Sequence, residues 1–190
     1  MTIYDQQFSE QVFSEHPLTA KTYDSCTFQN CSFAELHLTE IAFVDCRFEA
    51  CDFTGTTLGG TSFREASFMG CKLLGLQWVD CNPFLLAFQF DNCQLDFSNF
   101  AACPLKGTQF NNSSLREVDF SGSDLRKCQF DNCDLNRALF DRSQLQEADF
   151  RTAFGYQIDP EANQMNGARF AVSGVAGLLI KYGIEIDGLV

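Results

Sequence analysis

The sequence is poor in basic residues: 13 lysines and arginines stand against 25 aspartates and glutamates, and the net charge is -12. A protein that binds nucleic acid directly needs a basic surface to displace counterions from phosphates, so this balance argues against direct nucleic-acid binding. The sequence also lacks an apolar run long enough to cross a bilayer, and residues 1–17 contain neither the basic nor the apolar segment of a signal peptide. We therefore expect a cytoplasmic protein with no membrane contact.

The ten cysteines lack the spacing of a metal site, because no C-x-x-C pair occurs among them. A disulfide framework is typical of small secreted chains, and the absence of a signal peptide favours the reducing cytosol instead. The remaining role for these residues is that of small buried apolar side chains. We expect no bound metal and no disulfide.

What the sequence has in abundance is phenylalanine, with 21 residues, placed at a fixed interval of five. Phe8, Phe13, Leu18 and Tyr23 share this register, so the array begins near the N-terminus. The regular members of the first half are Phe28, Phe33, Leu38, Phe43, Phe48, Phe53, Leu58, Phe63, Phe68, Leu73 and Trp78. The members of the second half occupy every fifth position without exception: Leu95, Phe100, Leu105, Phe110, Leu115, Phe120, Leu125, Phe130, Leu135, Phe140, Leu145 and Phe150.

A period of five fits neither a helix at 3.6 residues nor a simple strand at 2, whereas a solenoid built from short repeats accommodates it. A smaller residue stands two positions before each bulky one, and all ten cysteines occupy this small position. The pattern predicts that each pentad points one bulky and one small side chain inward and three polar side chains outward.

The register slips by two residues between Trp78 and Leu95, and Pro83 falls where the earlier register needs a bulky apolar side chain. Proline donates no backbone hydrogen bond, so a bulge or a small loop is expected near residues 79–92. Asp80, Asn82, Pro83 and Phe84 are the residues expected in this loop.

Several pentads, such as Cys51-Asp-Phe-Thr-Gly55 and Val118-Asp-Phe-Ser-Gly122, resemble the consensus of the pentapeptide-repeat family. The resemblance implies an all-β fold, a right-handed quadrilateral β-helix with twenty residues in each coil. The recurrence of Leu18, Leu38 and Leu58 at intervals of twenty supports this coil length independently. With backbones ~4.8 Å apart, about seven coils would make a rod about 35 Å long.

The period is lost after residue 153, so we expect a β-helix over 1–153 and a cap over 154–190, since solenoids need caps. A helix capped by Ser173 and a short apolar strand containing Ile184 and Ile186 are expected there. This tail resembles that of Qnr-type quinolone-resistance and microcin-immunity proteins, which implies an α-helical dimerisation tail and a homodimer. The residues expected in the dimer contact are Val175, Leu178, Leu179, Tyr182, Ile184 and Ile186.

Residues twenty apart should stack on the surface of such a rod. Opposite charges meet in the second half, as at Glu117 and Arg137, Lys127 and Glu147, and Asp131 and Arg151. Like charges meet in the first half, where we expect Glu15 over Glu35 and Asp45 over Glu65, and such contacts are unfavourable. Uncompensated acids favour a basic partner, although plain solubility remains the alternative. The acidic residues expected to contact a partner are Glu15, Glu35, Asp45, Asp52 and Glu65.

No catalytic constellation emerges from the sequence. The only histidines, His16 and His37, lie too far apart in the repeat to form one site, and Gly59-Gly60 lacks the lysine of a phosphate-binding loop. A filled rod also offers no cleft for paired carboxylates. We expect no catalytic residues, no cofactor and no enzyme activity.

Two functional hypotheses remain open at this point. The Qnr resemblance implies a DNA mimic that binds a type II topoisomerase, DNA gyrase or topoisomerase IV, and modulates it or protects it from quinolones or peptide toxins. Among the residues of this chain, only the break at 79–92 is a candidate for the projecting loops of plasmid-borne Qnr proteins. The alternative is a structural or adaptor protein that binds another protein through its flat faces, because a fold alone does not determine function.

Overall fold

Segments that are twenty residues apart lie side by side as parallel strands, so that Ile3 pairs with Tyr23 and Phe8 with Phe28. This arrangement comes from the computed structural model of the chain, which describes residues 1–185. The coils form a right-handed, four-sided β-helix, and the predicted fold class is confirmed. The first strand begins at Thr2, so the coils start at the very beginning of the described chain.

Within residues 1–185, eleven short strands lie on two of the four sides. One sheet has the order β1-β3-β5-β7 and the other has the order β11-β10-β9-β8-β6-β4-β2. The remaining two sides are joined by isolated parallel bridges. The strands are β1 Thr2–Tyr4, β2 Gln7–Ser9, β3 Thr22–Asp24, β4 Thr27–Gln29, β5 Ala42–Val44, β6 Arg47–Glu49, β7 Ser62–Arg64, β8 Ala66–Met69, β9 Phe88–Asp91, β10 Gln109–Asn111 and β11 Gln129–Asp131.

The bulky inward side chains stack directly on one another along the rod. On the side that carries the longer sheet, nine phenylalanines form one continuous column with neighbouring rings nearly parallel. Phe48, for example, lies 5.0 Å from Phe28 and 4.8 Å from Phe68, measured between ring centroids. The members are Phe8, Phe28, Phe48, Phe68, Phe90, Phe110, Phe130, Phe150 and Phe170. This column is one part of the core of inward side chains from all four sides.

The small inward residue of a pentad also forms a hydrogen bond to the preceding coil, and this explains which residue types occur there. The Thr56 hydroxyl donates a hydrogen bond to the Phe33 carbonyl at 2.8 Å, and the Ser98 hydroxyl donates to the Leu73 carbonyl at 2.9 Å. Cysteine does the same more weakly, as from Cys51 Sγ to the Phe28 carbonyl at 3.3 Å. Each link joins one coil to the preceding coil, which is why cysteine, serine and threonine are frequent at this position.

All ten cysteines are buried and none forms a disulfide. Burial disfavours the charged thiolate, and it raises the pKa values of Cys46, Cys103, Cys128 and Cys133 to about 12. The inward placement predicted from the sequence is therefore confirmed. The thiols of Cys46, Cys103, Cys128 and Cys133 are poor nucleophiles in the folded protein because the thiolate is the reactive form.

The corners of the rod have a left-handed backbone conformation, with positive φ at the last residue of most pentads. Glycine adopts this conformation without steric cost, as at Gly55, where φ is +71°. Many corners nevertheless carry acidic side chains, including Asp45 with φ 49° and Glu65 with φ 54°. Their side chains are projected outward along the edges of the rod, where they are exposed.

The two-residue slip in the sequence appears as a change in strand pairing. Phe48 pairs with Phe68 at an interval of twenty, but Phe68 pairs with Phe90 at an interval of twenty-two. A 3₁₀-helix, Trp78–Asp80, precedes the insertion, and the regular pairing resumes at β9. The ring of Trp78 stacks on that of Phe100 at 5.3 Å, so the core continues past the insertion.

Parallel pairing extends beyond residue 153, the predicted end of the array. Gln164 pairs with Gln144 and Arg169 pairs with Asp149, although the sequence of this coil no longer shows the five-residue period. No helix within residues 1–185 is long and apolar enough to cross a membrane.

The described part of the tail, which ends at residue 185, contains two 3₁₀-helices, Val172–Leu178 and Ile180–Tyr182, rather than the predicted α-helix. The first starts after Ala171 and has no side-chain cap, so the prediction that Ser173 caps it was wrong. The segment packs closely on Tyr156, and a Cβ atom at Gly174 or Gly177 would collide with Tyr156. This contact requires glycine at both positions.

Candidate protein-binding surface

One edge of the rod carries a line of acidic residues in its first four coils. They are the corner residues Asp5, Asp45 and Glu65, which follow strands β1, β5 and β7, and Asp24 at the end of β3, where the corner itself is Ser25. The Asp5 amide donates to the Asp24 carbonyl at 3.0 Å and the Asp45 amide donates to the Arg64 carbonyl at 2.8 Å, so successive members lie one coil apart. We call this line, Asp5, Asp24, Asp45 and Glu65, the acidic edge.

Acidic residues of the first half are largely without basic partners. Of the eleven in residues 1–89, only three lie within 4.0 Å of a basic group: Glu40, Glu49 and Asp52. Of the ten in residues 90–150, all but Asp91, Asp119 and Asp131 do. The uncompensated negative charge of the described chain is therefore concentrated towards its N-terminal half, where the acidic edge lies.

Two of the predicted ion pairs between neighbouring coils form in the second half. Arg137 lies 3.3 Å from Glu117, and Lys127 lies 3.6 Å from Glu147. The third prediction was wrong, because Arg151 pairs with Asp149 of its own pentad, with Nη2 2.7 Å from Oδ2. Asp149 and Arg151 are only two residues apart in the chain. Their pairing therefore costs less conformational entropy than a pair between Arg151 and Asp131, which belong to different coils.

The insertion forms a projecting segment beside the acidic edge, and we call this segment, residues 83–87, the ledge. The Asn82 amide still donates to the Thr61 carbonyl at 2.8 Å, as in a regular coil, so the expectation that Asn82 leaves the coil was wrong. The chain departs only from Pro83, which has no amide hydrogen to donate. The side chains of Phe84 and Leu85 project into solvent, and each is 62% exposed. Asp80 stays at a corner, where its carbonyl accepts from the Gly60 amide at 2.9 Å.

A groove of about 530 Å³ lies between this ledge and strands β5 and β7. Its lining is Val44, Asp45, Arg64, Glu65, Leu85, Leu86 and Ala87, and we call it the step groove. The Arg64 guanidinium lies 5.5 Å from the ring centroid of Phe84. The groove thus combines two unpaired carboxylates, a guanidinium and an aliphatic floor.

The repeat and its geometry correspond to a known family. The model of the pentapeptide repeat region matches residues 21–84 and 83–150, which is more than half of the chain. The chain is a pentapeptide repeat protein.

This pentapeptide repeat protein is similar in structure to HetL from the cyanobacterium Nostoc sp. strain PCC 7120, a protein involved in regulating heterocyst differentiation. The identity is 15%, the TM-score is 0.67, and the match covers 90% of this chain and 88% of HetL. A trypsin-treated form of QnrB1, a plasmid-mediated fluoroquinolone resistance protein, matches with 16% identity and a TM-score of 0.47 over 97% and 99% of the two chains. At these identities the likeness concerns the fold alone. No curated protein sequence matches the chain significantly.

The acidic residues singled out from the sequence of the pentapeptide repeat protein are not brought together. Asp45 and Glu65 lie on the acidic edge and line the step groove. Glu35 lies at the diagonally opposite corner, with its side chain over Gly55. Glu15 belongs to a turn in which its amide donates to the Val12 carbonyl at 3.0 Å, so the expected pairing of its coil with Glu35 is lost.

Asp52 lies on a flat side of the rod and has a basic partner, since its carboxylate is 3.7 Å from Lys72. Partial burial acts to raise the pKa of Asp52, but hydrogen bonds from the Thr54 hydroxyl and amide, together with Lys72, lower it overall. Sequence reasoning missed Asp5 and Asp24, which share the acidic edge with Asp45. The stacking rule extended back from Asp45 reaches Asp5 two coils earlier, but it does not find Asp24, which pairs with Tyr4 and Val44.

The tail of the pentapeptide repeat protein crosses the end of the rod and is tied to it. Leu178 packs against the core, and the Lys181 ammonium lies 2.5 Å from Asp159 and 2.7 Å from Glu161. These carboxylates raise the pKa of Lys181. Of the residues expected in a dimer contact, Val175, Leu178 and Leu179 are half-buried, Tyr182 and Ile184 are exposed, and Ile186 lies outside the described residues.

Proposed function

We propose that this protein is a non-enzymatic modulator of a type II topoisomerase, acting in the reducing cytosol by occupying a basic DNA-binding surface. The observation that carries the proposal is the acidic edge, four carboxylates on successive coils with no basic group within 4.0 Å among residues 1–185. The resemblance of the tail to Qnr-type proteins directs the proposal to DNA gyrase, with topoisomerase IV as the related target.

The spacing of charges supports an approximate electrostatic mimicry. Parallel strands lie ~4.8 Å apart, so the acidic edge presents about one charge in every 4.8 Å along the rod. One strand of B-DNA presents one phosphate in about every 3.4 Å of its axis. A basic surface shaped for DNA would meet a similar but less dense line of charge, and the complex would depend on the field rather than on matched atoms.

The proposal predicts that the protein inhibits DNA supercoiling by gyrase and competes with DNA for the enzyme. Exposed charges are screened by salt, so the affinity should fall by about tenfold or more between low and physiological ionic strength. The measurement is a supercoiling titration at two salt concentrations, with and without a fluoroquinolone, and with an unrelated acidic protein as control. Binding that ignores salt, or no binding at all, would contradict the proposal.

The adaptor hypothesis is favoured by a different observation, the exposed Phe84 and Leu85 of the ledge. Two exposed apolar side chains contribute nothing to electrostatic mimicry of DNA phosphates. A protein partner other than a topoisomerase would use them, and in that case the supercoiling assay would give no inhibition while the ledge would still bind its partner.

We further propose that the protein is a homodimer joined through its tail. Leu178 is used to cover the rod, which leaves Val172, Ile180, Tyr182 and Ile184 as exposed large apolar side chains on this segment. Such a cluster is typical of an association surface. The substitution Ile180→Lys should convert the dimer to a monomer in sedimentation velocity, whereas Leu139→Lys, at an exposed apolar residue on the side of the rod, should not. A monomeric wild-type protein would contradict this proposal.

A further inference from the structure

The step groove has an apolar component that the coils themselves do not require. Val44 is half-buried at one wall and Leu86 packs partly against the core, so these two form the floor. Leu85 and Phe84 stand at the rim with most of their surface in water. An aliphatic side chain entering the groove would contact Val44, Leu85 and Leu86 and remove apolar surface from water.

The backbone at Leu85 indicates that this leucine is not there for folding. Its φ is 57°, in the left-handed region, where a branched side chain is disfavoured and glycine is free of cost. Within residues 1–185, Leu85 and Phe97 are the only large apolar residues with positive φ. Phe97 is similarly exposed, at 59%, but it lies at the diagonally opposite corner of the rod.

The charged groups of the groove are also available for a partner. Among the described residues, neither Asp45 nor Glu65 has a basic group within 4.0 Å, as the ion pairs of the first half involve other acids. Arg64 has a buried Nε without a hydrogen-bond acceptor within residues 1–185. Arg64 is half-buried and lines the groove, and its guanidinium carries further N–H donors from which a backbone carbonyl of a bound chain can accept.

We propose that the step groove binds an extended segment of a partner protein in which an aliphatic side chain stands next to a lysine or arginine. The aliphatic side chain occupies the floor between Val44 and Leu86, under Leu85. The basic side chain pairs with Asp45 and Glu65, and a backbone carbonyl of the segment accepts from Arg64.

This inference does not depend on which protein carries the segment, so it is tested with peptides. Fluorescence polarisation is measured with three fluorescein-labelled hexapeptides, of repeating Leu-Lys, Gly-Lys and Leu-Glu sequence. The Leu-Lys peptide should bind wild-type protein about tenfold more tightly than either of the others, because only it supplies both the aliphatic and the basic contact.

Two matched substitutions locate the binding. Leu85→Gly should weaken binding of the Leu-Lys peptide by about tenfold, whereas Phe97→Gly should leave it unchanged. Both substitutions place glycine at a left-handed corner, so both variants should melt at or above the wild-type temperature, and loss of binding cannot be ascribed to unfolding.

The inference is overturned if the Gly-Lys peptide binds as tightly as the Leu-Lys peptide. Attraction to the charge of the acidic edge would then explain binding without an aliphatic contact. The inference is overturned equally if the two glycine variants lose the same affinity. Self-association of the wild-type protein that Leu85→Gly abolishes in sedimentation velocity would assign the groove to a second copy instead.

Discussion

The substitution Phe48→Ala should lower the free energy of unfolding by about 3–5 kcal/mol, which is a large part of the stability of a typical domain. Phe48 is fully buried, and its ring is stacked between Phe28 and Phe68 in the phenylalanine column. Its removal leaves a cavity that the coils on both sides cannot close, because their positions are held by the backbone ladder.

The matched control for Phe48→Ala is Phe97→Ala, which removes the same atoms from an exposed corner. We expect it to change the free energy of unfolding by less than about 0.5 kcal/mol. Urea unfolding of both variants is followed by far-UV circular dichroism and by the fluorescence of Trp78, the single tryptophan, which is buried in the core. Equal destabilisation by the two substitutions would mean that the column does not carry the stability assigned to it.

Reversal of charge at Asp45 and Glu65 should weaken inhibition of gyrase by about thirtyfold, which corresponds to ~2 kcal/mol. The double variant Asp45→Lys with Glu65→Lys replaces two unpaired carboxylates with two cations that would face a basic surface. Like charges across an interface cost several kcal/mol when water is excluded and less at an exposed rim. The measurement is the supercoiling titration at low salt.

The control for this experiment uses acids that already have partners. Glu117 pairs with Arg137 and Glu147 pairs with Lys127, so the double variant Glu117→Lys with Glu147→Lys should change inhibition by less than about threefold. Because Asp45 and Glu65 also line the step groove, Leu85→Gly is measured beside them. Equal potency of both double variants would leave the topoisomerase proposal without its physical basis and would favour the adaptor hypothesis.

Much of this fold can be read from the sequence because a five-residue solenoid makes the inward positions periodic. The spacing of phenylalanine and leucine predicted the core, the placement of all ten cysteines and the position of the insertion. Each of these follows from local chemistry, since a pentad that turns a corner of the rod must point the same two positions inward every time.

The acidic surface was only partly predictable. The stacking rule correctly placed Asp45 over Glu65, but it failed for Glu15. The backbone at Glu15 forms a turn with Val12 and does not pair with the coil that contains Glu35. The rule also failed for Asp131, because Arg151 has a nearer acid in its own pentad. An interval of twenty predicts a surface contact only where each pentad stays in the regular coil. It also requires that no residue nearer in sequence forms the same ion pair.

By itself, then, the sequence determined the period, the inward side chains and the line along which charges repeat, because these depend on contacts between neighbouring pentads. Only the tertiary structure decided that the insertion brings Leu85 against the acidic edge, since two extra residues can bulge in several directions and packing on β5 and β7 selects one. The same holds for the tail, where Gly174 and Gly177 lie so close to the side chain and carbonyl of Tyr156 that a Cβ atom would not fit. Both features arise where the chain leaves its repeat, and there the interval between residues no longer determines which of them meet.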